Sequence, residues 1–431
     1  MKKFFQVLKK SKKSKARLGE INTDHGVIKT PAFMPAGTKG TVKALTPKQL
    51  KEIGIQVSFV NTYHLVVSPG VDVIEKAGGI HKFAQLNLPL MSDSGGFQVF
   101  SLAKQNHKSQ ITNLPAGRQV HKKNSNNKIQ NAQRIANIRG EELPLVEKIS
   151  EEGVRFRSLY DGQIIEFTPE KSMEYQRKIG ADLNMAFDEC TYYPATHEYA
   201  EKAMERTHQW LKRCVNYKKQ ASSLLKHQYL YGIIQGGTFE DLRKKSAKFV
   251  VFQPVDGVAI GGVSVGETKK EMRNQVKWVT DYLPKDKPVH LLGVGQFDDI
   301  IDLVKYGIDT FDCVEPTRLG RMGVVYQWER VSRWQGSRQR AGMFEHWREG
   351  NRDRTRSDYK QDINKNIYKN NLEPVDKNCQ CWVCQNFSKA YLHHLFKQRE
   401  ILGYTLATYH NLFIMERFME LIRQAIEKNQ L

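Results

Sequence analysis

The sequence predicts an α/β protein built on a closed (β/α)8 barrel, and three observations carry that prediction. Short apolar runs recur seven times along the chain, each ending in a polar or glycine-rich phrase. Segments with helical signals lie between them. Five of the runs close on Asp93, Asp188, Gln235, Gly262 or Asp312. Strand and helix alternating this often argue for a parallel sheet. Seven units, with an eighth around Thr30–Gly40, suit a closed barrel better than an open sheet, and in such a barrel the working residues stand at C-terminal strand ends.

The runs, in order, are "GIQVSFVNTYHL" (54–65), "LPLMSDSGGFQ" (88–98), "ADLNMAFDEC" (181–190), "YLYGIIQGG" (229–237), "VDGVAIGGVSVG" (255–266), "PVHLLGVG" (288–295) and "GIDTFDCVEP" (307–316). Between the second and third, Thr168-Pro169-Glu170 reads as an N-cap, a proline at the first helical position and an acidic first turn. The helix it opens puts Met173, Tyr175, Gln176 and Ile179 near one face and stops at Gly180. The segment 296–307, "QFDDIIDLVKYG", closes on a glycine in the same way.

Hydrophobic residues make up 40% of the 431 and charged residues 26%, a globular balance that excludes a disordered or fibrous chain. The formal net charge of +21 makes a polyanion the default partner, the plain alternative being a merely soluble basic protein. No apolar run is long enough to span a bilayer. The opening "MKKFFQVLKKSKKSKARLG" lacks the apolar core and cleavage site of a secretory signal, so a cytoplasmic location is expected. Two stretches break the rhythm: residues 104–144, rich in Asn, Gln and Lys, and residues 329–360, rich in Arg. Both read as polar surface insertions. The expected organisation is a catalytic barrel over 1–328, interrupted at 104–144, then the 329–360 insertion, then a metal-binding subdomain with C-terminal helices over 361–431.

Three of the six cysteines crowd into Cys379-Gln-Cys381-Trp-Val-Cys384. Thiolates so close repel unless a cation holds them, and tetrahedral Zn²⁺ accepts a Cys3His set. The fourth ligand is then one of His393, His394 or His410. With every position filled by protein, such a site is structural rather than catalytic.

Taken together, "TPAFMPAGTKGTVKALTP" (30–47), "NTYHL" (61–65), "SDSGGFQVFSL" (92–102), "SEEGVRF" (150–156), "MAFDECT" (185–191), "QGGTFEDLR" (235–243), "GGVSVGE" (261–267), "LLGVG" (291–295), "FDCVEPTRLGR" (311–321) and "CQCWVC…AYLHHLF…EILG…HN" (379–411) resemble the bacterial queuine tRNA-ribosyltransferases, or tRNA-guanine transglycosylases. The resemblance runs through nearly the whole chain except the two insertions. It implies a (β/α)8 barrel with a zinc subdomain, commonly a homodimer. The implied reaction exchanges guanine at the wobble position, 34, of tRNAs with a GUN anticodon (those for Asp, Asn, His and Tyr) for a 7-deazaguanine. By motif match, Asp312 is the nucleophile and Asp93 the general acid/base; Asp188, Gln235 and Gly262 hold the base, and Phe97 stacks on it. The same match assigns Cys379, Cys381, Cys384 and His410 to one structural Zn²⁺, and Arg318 and Arg321 to tRNA. Cys190 and Val265 follow the bacterial pattern, which implies preQ1 as the incoming base.

Elementary chemistry agrees with these roles. Breaking an N-glycosidic bond builds positive charge at C1′, which a carboxylate can stabilise or trap covalently. The departing base needs a proton or hydrogen-bond donors. A barrel enzyme cleaving another N- or O-glycosidic bond would also use two strand-end carboxylates, but the basic balance and "PTRLGR" favour a nucleic acid. A non-catalytic RNA-binding paralogue is the other rival, and retention of all three aspartates argues against it. Tyr193, Glu315 and Met322 depart from the family pattern, and Glu315 is expected to add negative charge where RNA should lie.

Overall fold

A computed structural model describes residues 3–96, 145–158, 162–224, 227–332 and 359–431. The first insertion, with Phe97, and the 333–358 part of the second lie outside the described residues. The strands are β1 (Phe5–Lys10), β2 (Arg17–Thr23), β3 (Gly26–Thr30), β4 (Ala32–Pro35), β5 (Ser58–Val60), β6 (Leu90–Ser92), β7 (Leu145–Ile149), β8 (Val154–Arg157), β9 (Ile164–Phe167), β10 (Leu183–Met185), β11 (Tyr229–Ile234), β12 (Gly257–Ile260), β13 (Val289–Leu291), β14 (Thr310–Cys313), β15 (Val324–Tyr326) and β16 (Lys360–Asp362).

Eight of them form one sheet in the order β4-β14-β13-β12-β11-β10-β6-β5. Its assigned pairs are parallel, as in β11 on β12 and β14 on β4. A parallel bridge from Ala36 to Phe59, with the Gly37 N–H donating to the Phe59 carbonyl at 2.7 Å, joins the two ends of that order. The sheet is therefore a nearly closed barrel. Runs such as Gly257–Ile260 and Leu183–Met185 are buried at every position, because a parallel sheet is covered on both faces. Two antiparallel sheets, β1-β2-β3 and β7-β8-β9, are additions that the apolar-run pattern did not indicate.

The chain divides into two compact units that do not follow chain order: residues 1–59, 87–89 and 293–431, and residues 60–86 and 90–292. In the second, the helix Pro169–Ile179 forms as its signals predict, capped by Thr168 and ended by Gly180 at φ +76°. It buries Met173 and Ile179, each worth roughly 1.5–3 kcal/mol of transfer free energy. It also buries Gln176, whose amide acts as a brace: Nε2 donates to the Met185 carbonyl at 2.9 Å and Oε1 accepts from the Met185 N–H at 3.0 Å. The same Oε1 accepts from Ser92 Oγ at 2.8 Å. One buried amide thereby fixes the ends of β6 and β10, one residue before Asp93 and three before Asp188.

In the first unit, β14 follows a buried ion pair. Arg17 Nε and Nη2 donate to Asp309 Oδ1 and Oδ2 at 2.9 and 2.6 Å, and the Asp309 carbonyl accepts from the Ala32 N–H at 2.9 Å. The segment labelled as the second insertion is regular at its margins, where Trp328–Ser332 is helical and β16 pairs antiparallel with β15. Among the described residues no helix is long and apolar enough to cross a membrane. Arg17→Met removes the arginine fork from the buried Asp309 carboxylate. We expect a loss of about 3–5 kcal/mol in urea denaturation, and a loss below about 1 kcal/mol would show that the pair does not anchor the strand.

Candidate active site and metal centre

Asp93 follows β6 directly and is buried. Asn61 sets up its surroundings. Its Oδ1 caps the helix Thr62–Val67 by accepting from the His64 N–H at 3.0 Å, which leaves Nδ2 to donate to Asp93 Oδ2. The Thr62 and Gly95 N–H groups donate to Asp93 Oδ1 at 2.7 and 3.2 Å. Thr62 Oγ1 donates to the Asp93 carbonyl at 2.6 Å. Both carboxylate oxygens are thus held by donors, and the side chain has one fixed orientation.

Asp188 stands beyond β10 and is also buried. Ser94 Oγ donates to its Oδ1 at 2.9 Å and Gln235 Nε2 to its Oδ2 at 2.7 Å. Burial raises its pKa to about 6, the Gln235 and Ser94 hydrogen bonds working in the opposite direction. Gly96 packs so closely that a Cβ there would lie 2.5 Å from the Asp188 carbonyl, which locks the "SDSGG" and "FDEC" phrases together. Next along, Glu189 takes Tyr199 OH at 2.7 Å and pairs with Arg206, so this second acid of "FDEC" is part of the packing. Burial pushes the Cys190 thiol up to about 12.

Gln235 follows β11 directly, and its Oε1 is a buried acceptor with no hydrogen-bond partner among the described residues. Gly262 follows β12 at φ +63°, where a Cβ would come within 2.3 Å of that oxygen. Glycine is required there on both counts. Asn61, Ser94 and Gln176 were not separable from their motifs by sequence, because each acts on a group tens of residues away or through its own backbone turn.

Asp312 lies in β14, where it is partly exposed, and its Oδ1 accepts from the Gly293 N–H at 3.0 Å. The glycine phrase before it is again steric, since a Cβ on Gly295 would sit 2.3 Å from Cys313 Cβ. The helix Glu315–Arg321 starts three residues later and carries an exposed Arg318; Arg321 Nη1 donates to the Thr317 carbonyl at 2.9 Å. Glu315 does not present the free negative charge expected of it: Lys360 Nζ lies 2.8 Å from its Oε1, and Gln296 Nε2 donates to its Oε2 at 3.0 Å. Met322 is exposed, and Tyr193 OH reaches Glu271 at 3.4 Å. Neither observation explains why the family residue is absent at these two positions.

Cys379, Cys381, Cys384 and His410 come together, all buried, with ligand atoms within 4.8 Å of one another. His410 Nδ1 is 3.5 Å from Cys381 Sγ and 3.2 Å from Cys384 Sγ. Its Nε2 lies 2.8 Å from the Tyr326 carbonyl, an acceptor that requires the proton on Nε2 and leaves the Nδ1 lone pair facing the thiols. His393 Nδ1 is instead occupied by the Ile363 carbonyl at 2.7 Å, and His394 is exposed. Three sulfurs and one imidazole nitrogen at these separations can coordinate a metal ion.

The fold and these groups define the class, a (β/α)8-barrel enzyme with a Cys3His centre. A model of the queuine tRNA-ribosyltransferase family matches residues 11–135 and 131–431. The queuine tRNA-ribosyltransferase of Caldanaerobacter subterraneus is 42% identical over 427 residues, covering 99% of this chain and 94% of that protein. That of Thermoanaerobacter pseudethanolicus is 41% identical with the same coverage, and that of Herpetosiphon aurantiacus 41% identical over 411 residues, covering 95% and 86%. The chain belongs to the queuine tRNA-ribosyltransferase family. Its activity is that of a pentosyltransferase, tRNA-guanine transglycosylation in queuosine biosynthesis.

The geometry around Asp188 sets its titration. In the free protein its carboxyl should be half-protonated near pH 6, read by NMR of labelled aspartate. Ser94→Ala removes a donor to the ionised form and should move the midpoint higher. A midpoint that stays put or falls would contradict this account of the site.

Proposed function

We propose that the enzyme exchanges guanine at position 34 of GUN-anticodon tRNAs for preQ1, by double displacement through a covalent ribosyl intermediate on Asp312. The observation that carries the reading is Asp312 itself. Its carboxylate stands in a barrel strand with one oxygen fixed by the Gly293 N–H, and a helix bearing Arg318 and Arg321 follows at once. In the first step an Asp312 oxygen bonds to C1′ as the C1′–N9 bond breaks, and the bonding pair leaves with guanine. Asp93 supplies the proton that the departing base takes up. In the second step the same group removes the N9 proton of the incoming base, which attacks C1′ and expels the Asp312 oxygen. Two inversions give net retention.

Asp188, ionised at neutral pH by virtue of a pKa of about 6, accepts from the N1–H and exocyclic amine of the base. The unpartnered Gln235 Oε1 and the Gly262 N–H complete the recognition, and Phe97 is the stacking residue. The buried Cys190 and the half-buried Val265 set the choice of preQ1 over the larger queuine. Arg318 and Arg321 hold the RNA near its anticodon. One structural Zn²⁺ fits the Cys3His set, its imidazole ligand oriented by the Tyr326 carbonyl. A cytoplasmic homodimer, with barrel residues 1–328 carrying the chemistry and 361–431 the metal, completes the reading.

Displacement of radiolabelled guanine from tRNA tests it. Wild-type enzyme should accept preQ1 in strong preference to queuine, and Asp312→Asn should lower exchange by on the order of 10³-fold or more. Near-wild-type exchange by the variant would remove Asp312 from its role; equal use of the two bases would remove preQ1 specificity.

A further inference from the structure

Arg243, in the helix Glu240–Phe252, is fully buried. Its guanidinium donates to the carbonyls of Gly237 (2.7 Å), Ile234 (3.3 Å), Gly261 (2.6 Å) and Gly262 (2.7 Å) and to Gln275 Oε1 (2.7 Å). None of these acceptors is a carboxylate. A buried cation with no carboxylate in hydrogen-bond reach is costly even with the Glu267 charge acting on it from farther off, and a fold that needed only a bracket between two loops could use a neutral amide.

The carbonyl of Gly261 and the N–H of Gly262 belong to one peptide unit. A cation 2.6 Å from that oxygen draws electron density along the amide and makes its N–H a stronger donor. The bond from Nη2 to the Gly262 carbonyl pins the next peptide, so the plane of the donor is fixed as well. A Cβ on Gly262 would lie 2.3 Å from Gln235 Oε1, and Gln235 Nε2 donates to Asp188 at 2.7 Å, so this peptide stands beside the Gln235–Asp188 pair. Burial lowers the Arg243 pKa to about 10, which leaves the group charged at neutral pH.

We infer that Arg243 is a positioning residue for base exchange: held against the Gly261 carbonyl, it polarises the Gly261–Gly262 peptide, so that the Gly262 N–H better stabilises the negative charge building on the departing base. The inference rests on the proposal that this N–H meets the C6 carbonyl oxygen of the purine. Arg243 touches neither base nor ribose in this scheme and acts through the peptide alone.

Arg243→Met would strip a donor from four buried carbonyls and risks failing to fold, so the decisive variant is Gln275→Glu. Gln275 Nε2 has no hydrogen-bond partner among the described residues, and an oxygen in its place costs no existing bond. The new carboxylate keeps the geometry but draws the guanidinium field onto itself. If 10–30% of an oxyanion-type contribution of 10²–10³-fold is polarisation, single-turnover guanine release should slow by roughly two- to eightfold. KM for tRNA and the melting temperature should be held or raised while release slows. A wild-type release rate in the variant would overturn the inference and leave Arg243 a bracket. The underlying reading is tested apart, in wild-type enzyme. Guanine should inhibit far better than 2-aminopurine, which lacks the C6 carbonyl and with it the N1–H, and equal inhibition would remove both the Gly262 and the N1–H contacts.

Discussion

The position of the β14 strand rests on a buried bidentate ion pair. Arg17 and Asp309 meet through two hydrogen bonds, and Asp309 is the residue immediately before the strand that contains Asp312. An arginine fork on a carboxylate fixes direction as well as distance. The same Asp309 gives its carbonyl to Ala32, so the pair also sets the parallel register of Thr310–Cys313 on Ala32–Pro35. Three residues of extended chain then carry that precision to the Asp312 carboxylate. Downstream, the long helix Ile401–Glu427 takes over. Its Asn411 accepts from the Tyr326 N–H and donates to the carbonyls of Pro316 and Val324, while the adjacent His410 joins the thiol cluster. The metal centre and the helix bearing the arginines are therefore held by neighbouring side chains of one element.

A second theme is the use of buried polar side chains as rigid brackets between loops. Gln176 ties two strand ends, Asn61 couples a helix cap to Asp93, and Arg243 gathers the carbonyls of two strand-end turns. Each is fully or nearly fully buried, so each bond is made in a low-dielectric setting where a misplaced group is expensive. Rigidity of this kind is what a reaction needs when its reacting atoms must be placed within a fraction of an ångström.

The barrel was legible because parallel strands buried on both faces leave unbroken apolar runs, and because each run ended in a polar or glycine-rich phrase. Asp93, Asp188 and Asp312 stood out for the same reason. The N-terminal sheet did not, since "FQVLKK" and "RLGEINT" interleave charges with apolar residues and carry no run at all. Spacing gave three thiol ligands but could not choose among three histidines; the choice is made by the Ile363 carbonyl occupying His393 and the Tyr326 carbonyl turning His410 toward the sulfurs. Arg243 was invisible because "EDLRKKSAKF" reads as a solvated basic helix. The pairing of Glu315 was not legible, as Lys360, 45 positions on, lies far beyond any local pattern.

The claim on which the rest turns is that Asp312 bonds to the ribose. The most direct measurement is intact-mass and peptide-level mass spectrometry of enzyme quenched in acid during guanine release from a minimal anticodon stem-loop. The account predicts a 1:1 covalent RNA–protein adduct that maps to the peptide carrying Asp312 and is discharged by added preQ1. Release of guanine with no adduct, or an adduct that maps to Asp93, would contradict it.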